Sequence, residues 1–280
     1  MRMLSFALSL AVVATFVDVA TAQGGGGRGR GRAEEIQNRV GAFFTDVKGP
    51  LPDGEKAGDL ATTDMVKAAA GYGQMTVLYL VDSSDDQDVR EQFERTLFAG
   101  DEIGIMLRCF HCGRIDLKSE PLLAAKFARQ APLFLVYDKD GKPGEFVAMN
   151  GYKPSVKGLE TQLLKASQGV VKPSLAGFAK EYGGLVRDLE QVLAKKKNAK
   201  ERMAKAGADK AKKAEVEKDL TLAEKDEQKL LDRETELLKK VGLPERSADA
   251  KRLGGGRGPG GPGGPGGGGG GGGGRGGNGG

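Results

Sequence analysis

Two short runs, MTVLYLV at 75–81 and LFLVY within 133–138, restrict what this chain can fold into more than any other feature of its sequence. Each is almost wholly apolar, rich in β-branched and aromatic residues, and too short to be a buried helix. A strand apolar at successive positions must be covered on both faces, so helices have to flank the sheet that holds it. The surrounding sequence supplies them. Residues 63–70 (TDMVKAAA) read as a short helix capped by Thr62 or Thr63, and 88–98 places Val89, Phe93 and Leu97 on one helical stripe. Helices are also predicted over 121–129 and over 156–166, which carries Leu159, Leu163 and Leu164. A further strand is predicted over 108–116, and 145–149 (EFVAM) pairs back on 133–138 across the turn at 139–142. Upstream, Ile36, Val40, Phe43 and Val47 have helical spacing, which predicts one helix over 33–47, ended by Gly49-Pro50 and Pro52-Asp53-Gly54. The order helix, strand, helix, strand, helix, strand, strand, helix predicts an α/β fold with a mixed sheet flanked by helices.

The ends have a different character. The start, MRMLSFALSLAVVATFVDVATAQ, combines Arg2, an apolar run too short to span a bilayer, and Ala20-Thr21-Ala22, the pattern of a secretory signal at 1–22 cleaved after Ala22. The mature chain is therefore expected to be secreted or periplasmic, with no membrane span. A Gly/Arg linker follows at 23–32, and the Gly-rich tail at 254–280 cannot bury apolar surface and is expected to be disordered. With 43 basic and 38 acidic residues, the net charge of +5 is too mild to argue for nucleic-acid binding and is accounted for by solubility.

The region 173–243 is charged and helical. Leu175, Phe178, Tyr182, Leu185, Leu189 and Val192 form one seam, and Val216, Leu220, Ala223, Glu227, Leu230, Glu234, Leu237 and Val241 form a second. Glu227 and Glu234 weaken the second seam as a dimeric coiled coil, which favours an antiparallel hairpin of the two seams over a coiled coil between chains. Gly242 and Pro244 stop the second helix.

Chemistry concentrates in RCFHCGRID at 108–116, which holds Cys109, Cys112 and the single histidine, His111. As a strand it places Cys109, His111 and Ile115 on one face, with Phe110 and Cys112 on the other. Three readings of the cysteines stand: inert buried thiols, a disulfide that requires a kink at Gly113, and a redox or metal-capturing pair. Zinc takes about four ligands, and the chain has no other cysteine or histidine, so no metal or other cofactor is expected.

The span of about 63–168 resembles the thioredoxin-like superfamily. The resemblance rests on MTVLYLV, the helix DVREQFERTLF, the strand ending in RID, and QAPLFLVYDKDGK leading into EFVAMNGY. It implies a cis proline at Ala131-Pro132 opening the third strand, a hairpin at Asp140-Gly141 and a closing Gly151. The family places Cys-x-x-Cys at the start of the helix after the first central strand, where the helix N-terminus activates a thiol. This chain has SSDDQDVR at 83–90 in that place, with no cysteine. Asp82, Asp85, Asp86 and Asp88 there are better read as caps and solvated charges than as a cation site.

The sequence thus predicts a thioredoxin-like domain over 33–168, a helical region over 173–243 and glycine-rich ends. The expected function is an exported binding or scaffolding module of the periplasm or cell envelope, with a protein partner on the helical region. The alternative is an enzyme, a thiol-disulfide oxidoreductase using Cys109 and Cys112 with Pro132 nearby. A weaker expectation is nucleic acid or another polyanion on Lys195, Lys196, Lys197, Lys210, Lys212 and Lys213, with affinity falling steeply with salt.

Overall fold

The structure, a computed structural model, describes residues 32–47, 64–207 and 209–254. The signal segment, residues 23–31 of the linker, the turns at 49–54, Thr62 and Thr63, and the tail beyond Gly254 lie outside the described residues. The fold is α/β: a mixed six-stranded sheet flanked by helices, with a long C-terminal helical segment.

The chain runs α1 (Glu34–Val40), β1 (Ala42–Asp46), α2 (Asp64–Gly71), β2 (Met75–Val81), α3 (Gln87–Leu97), α4 (Asp101–Leu107) and β3 (Phe110–Asp116). It continues with α5 (Pro121–Phe127), β4 (Leu133–Tyr137), β5 (Val147–Ala148), α6 (Val156–Ala166), α7 (Leu175–Lys205), α8 (Lys210–Val241) and β6 (Lys251–Leu253). The strand order is β5-β4-β2-β3-β1-β6. The three strands β1, β3 and β2 are mutually parallel, whereas β4, β5 and β6 each pair antiparallel with their neighbours.

The period of two along the central strands divides the core in two. On one face Val77, Tyr79 and Val81 of β2 meet Phe134 and Val136 of β4, and α1, α3, α4, α6 and α7 cover them. Tyr79 stacks on Phe134 at 4.5 Å between ring centroids, with Phe44 edge-on at 5.9 Å from Tyr79. On the other face Leu78, Leu80, Leu133, Leu135 and Tyr137 meet Val66 of α2 and Leu123 and Phe127 of α5. Both all-apolar runs are therefore buried on two sides.

Three elements differ from expectation. The helix predicted over 33–47 stops at Val40, because Gly41 turns to extended backbone and AFFTD, rich in β-formers, pairs with β3 and β6. Helix α4 was not anticipated. Ile103, Gly104, Ile105, Met106 and Leu107 are all buried, so it has no amphipathic stripe to reveal it. A Cβ on Gly104 would lie 1.9 Å from the Val40 carbonyl oxygen, so only glycine lets α4 approach the end of α1 this closely. Strand β6 was also unforeseen, being three residues of KRL completing an edge.

The C-terminal seams pair as an antiparallel hairpin. Cross-links from Lys196 to Glu227 (2.5 Å) and Arg202 to Asp219 (2.7 Å) fix its direction. Gly242 ends α8 in the left-handed conformation, its amide bonded to the Leu238 carbonyl. Leu175, Phe178 and Tyr182 of α7 enter the same core as Val77 and Phe134, so the hairpin is seated on the sheet domain. No described helix is long and apolar enough to cross a membrane.

Candidate functional site

The two cysteines and Pro132, the candidate residues of the sequence reading, do not converge. The shared register places Cys112 beside Val77 of β2, whereas Leu133 sits beside Leu80. Pro132, whose peptide bond with Ala131 is cis, precedes Leu133 and so lies near the far end of β2. Four residues along a strand are roughly 13 Å, and two strand spacings roughly 10 Å, so the cysteines and the proline stand at opposite ends of the sheet.

Nor does Cys109 share a face with His111. Helix α4 runs to Leu107, and its last turn is closed by the amides of Arg108 and Cys109 bonding to the Ile105 and Met106 carbonyls. The strand begins one residue later, at Phe110, and Cys109 joins Phe110 and Cys112 in the apolar cluster. Both thiols are free and buried. Burial pushes Cys109 up to about 12 against the pull of Arg108, and burial followed by the proximity of Cys109 pushes Cys112 up as well. The Cys112 thiol donates to the Leu107 carbonyl at 3.4 Å. His111 is half-buried, its Nε2 paired with the Gln74 side-chain oxygen, and burial lowers its pKa. Thiols in this setting are protonated at neutral pH, and neither has a base beside it.

At the opposite end, where the resemblance implies a redox pair, the acidic turn is internally satisfied. Asp86 caps α3 by accepting from the amides of Asp88 (2.8 Å) and Val89 (3.2 Å). Asp82 accepts from Ser84, and Asp85 accepts from the Tyr152 hydroxyl. Among the described residues no group of three His, Cys, Asp or Glu side chains is placed to hold a metal ion.

A cleft of about 1160 Å³ lies at the cysteine end, between α1 and β1, the start of β3, the end of α8 and residues 243–250. One wall is a continuous polar network. Arg39 Nε is 3.1 Å from both carboxylate oxygens of Glu234, and the Tyr182 hydroxyl donates to the same carboxylate at 2.6 Å. Arg108 Nη1 donates to the Tyr182 oxygen at 2.6 Å and to the Arg39 carbonyl at 2.7 Å, with its guanidinium 4.8 Å from the Tyr182 ring centre. The lining also carries Arg246, whose guanidinium lies 3.7 Å from the Phe43 ring centre and donates to the Asn38 carbonyl at 3.3 Å.

The charges here are unevenly matched. Burial works against the Arg39 charge, but Glu234 and Glu35 outweigh it and hold its pKa above the usual value. Burial, opposed by Arg108 but aided by Glu234, raises the Tyr182 phenol. Arg246 moves the other way: burial and then repulsion from Arg108 lower its pKa. Sequence reasoning did not single out Arg39, Arg108 or Arg246. The signal that pointed here was Glu234 in the apolar seam of α8, which broke the heptad because it is the partner of Arg39 and Tyr182.

Of the lysines singled out for polyanions, Lys196 is bound to Glu227 and Lys212 pairs with Asp209. No family model and no curated protein matches this chain. Among solved structures, the crystal structure of a designed protein is similar at 15% identity and a TM-score of 0.23, covering 35% of this chain and 86% of the designed one. A likeness at that level carries no argument about fold or function.

Proposed function

We propose that the chain is an exported, thioredoxin-like protein that acts as a binding or scaffolding module and has no thiol-disulfide exchange activity. The observation that carries this reading is the condition of the thiols. Both are buried, both have pKa values raised by burial, and both are remote from the helix start where a nucleophilic thiolate would be stabilised. The thioredoxin-like part is supported by the succession β2, α3, β3, α5, β4, β5, α6, in which α4 is an additional helix between α3 and β3, by the β4–β5 hairpin and by Pro132 at the opening of β4. Export is supported by the signal pattern at 1–22. A protein partner on the hairpin is supported by its long charged outer face, seated on the domain by one side only.

Native-state alkylation followed by mass spectrometry tests the central point. Cys109 and Cys112 are expected to react only after unfolding, and the protein is expected to add nothing to the rate at which dithiothreitol alone reduces insulin. Rapid native alkylation, or acceleration of insulin reduction, contradicts the reading. Export is checked by the first residue of the protein recovered from outside the cytoplasm: Gln23 is expected, and retention of Met1 opposes it.

A further inference from the structure

We propose that the cleft between β1, β3 and residues 243–250 binds a small dianionic ligand, a phosphate ester or a dicarboxylate, on Arg108 and Arg246. This goes beyond the binding-module reading, because it rests on other residues and holds whether or not the hairpin docks a protein. Three observations carry it.

The first is the charge balance of the lining. Arg39 pairs with Glu35 and Glu234, and Asp46 with Arg114 and Lys251, so these six charges balance only when taken together. Arg108 and Arg246 make no ion pair among the described residues, and Glu245 at the rim makes none either. Two guanidiniums therefore line the cleft without a carboxylate partner, against one unpaired carboxylate, Glu245. The second is their preorganisation. Each is held by a backbone carbonyl and an aromatic ring, Arg108 by Arg39 O and Tyr182, Arg246 by Asn38 O and Phe43. A guanidinium carries five N–H donors, and the contacts described occupy only some of them on either side chain. The remainder are left for a ligand whose oxygens pair with them bidentately. The third is the space, since about 1160 Å³ is ample for a small organic anion. Two fixed guanidiniums lining one cleft match two negative charges on one ligand better than they match a monovalent ion.

Placing two like charges together lowers stability unless a ligand balances them, so anion binding is expected to be visible in the full-length chain. The test uses inorganic phosphate and succinate as probes at ionic strength held constant with sodium chloride. Arginine modification by phenylglyoxal, read by mass spectrometry, is expected to slow several-fold at Arg108 and Arg246 when phosphate or succinate is present, and not with acetate. Protection by phosphate alone identifies the phosphate class and protection by succinate alone the dicarboxylate class; either supports the site. By calorimetry, Arg246→Gln is expected to weaken binding of the effective probe about tenfold or more. Lys157→Gln, on the exposed side of α6 and outside the cleft lining, is expected to leave it unchanged. Equal modification with and without both dianions, or equal losses in the two variants, overturns the proposal. The footprint on the unaltered chain keeps it falsifiable should Arg246→Gln fold poorly.

Discussion

The two ends of the sheet solve the same electrostatic problem in opposite ways. At the end formed by 82–88 and Pro132, each of the acidic groups Asp82, Asp85 and Asp86 is matched by a local amide or hydroxyl. At the end formed by α1, the start of β3 and residues 243–250, a network satisfies Glu234 and Tyr182 but leaves Arg108 and Arg246 without counter-charge. A capped helix start has spent its dipole on its own side chain and has little left for a substrate. Uncompensated, preorganised cations are what a binding site holds in reserve. The proposed anion site lies at the end opposite to the one the thioredoxin-like resemblance would select.

The comparison can be broken at several points, beginning with the largest effect. Glu234→Ala removes the partner of Arg39 and the acceptor of Tyr182, so it is expected to destabilise the protein by about 3 kcal/mol in urea unfolding. A loss below about 1 kcal/mol would show the network to be ornamental. Gly104→Ala forces a Cβ against the Val40 carbonyl and is expected to cost about 2 kcal/mol by the same measurement, with α1 displaced from the cleft wall. Asp86→Ala at the other end should cost about 1 kcal/mol through the lost cap while leaving phosphate and succinate binding untouched. A change in anion affinity there would merge the two ends into one system.

A smaller effect follows from Glu94, buried on α3 beneath Tyr79. Burial raises its pKa, and the nearby Arg114 and Arg90 only partly offset this. A carboxyl with a higher pKa folded than unfolded holds its proton more tightly in the native state. Its contribution to stability is therefore present below the unfolded value, near 4.5, and is lost as pH rises through the folded value. Thermal unfolding of Glu94→Gln is expected to lack this decline and to gain on the parent as pH rises from 4 to 7. Parallel pH profiles of the two proteins would contradict it.

Sequence and structure agree where burial and period coincide. Strands β2 and β4 and helices α2, α3 and α6 announce themselves because their apolar residues follow one period or fill the run. Phe43 and Val47 extend the helical spacing of Ile36 and Val40 across Gly41, so β1 is concealed by a coincidence of spacing that only its pairing with β3 resolves. The all-apolar α4 has no face to read, and the three residues of β6 acquire their meaning from an edge contributed by another segment. The cleft is harder still. Arg39, Arg108, Tyr182, Glu234 and Arg246 come from five separate stretches, and the hairpin must return along α7 before they meet. Only Glu234, a carboxylate where an apolar residue was due, left a trace. The cysteines drew attention for their spacing, but spacing alone says nothing of burial, and burial decides their chemistry.

The most direct measurement is a backbone NMR titration of the full-length chain with inorganic phosphate, and in parallel with succinate, at fixed ionic strength. Shifts are expected from at least one of the two anions at residues 38–43, 108–112 and 243–248, with 82–88 and Pro132 unmoved. Shifts centred on 82–88 and Pro132, or none with either anion, would contradict the proposed anion site at the arginine-lined end.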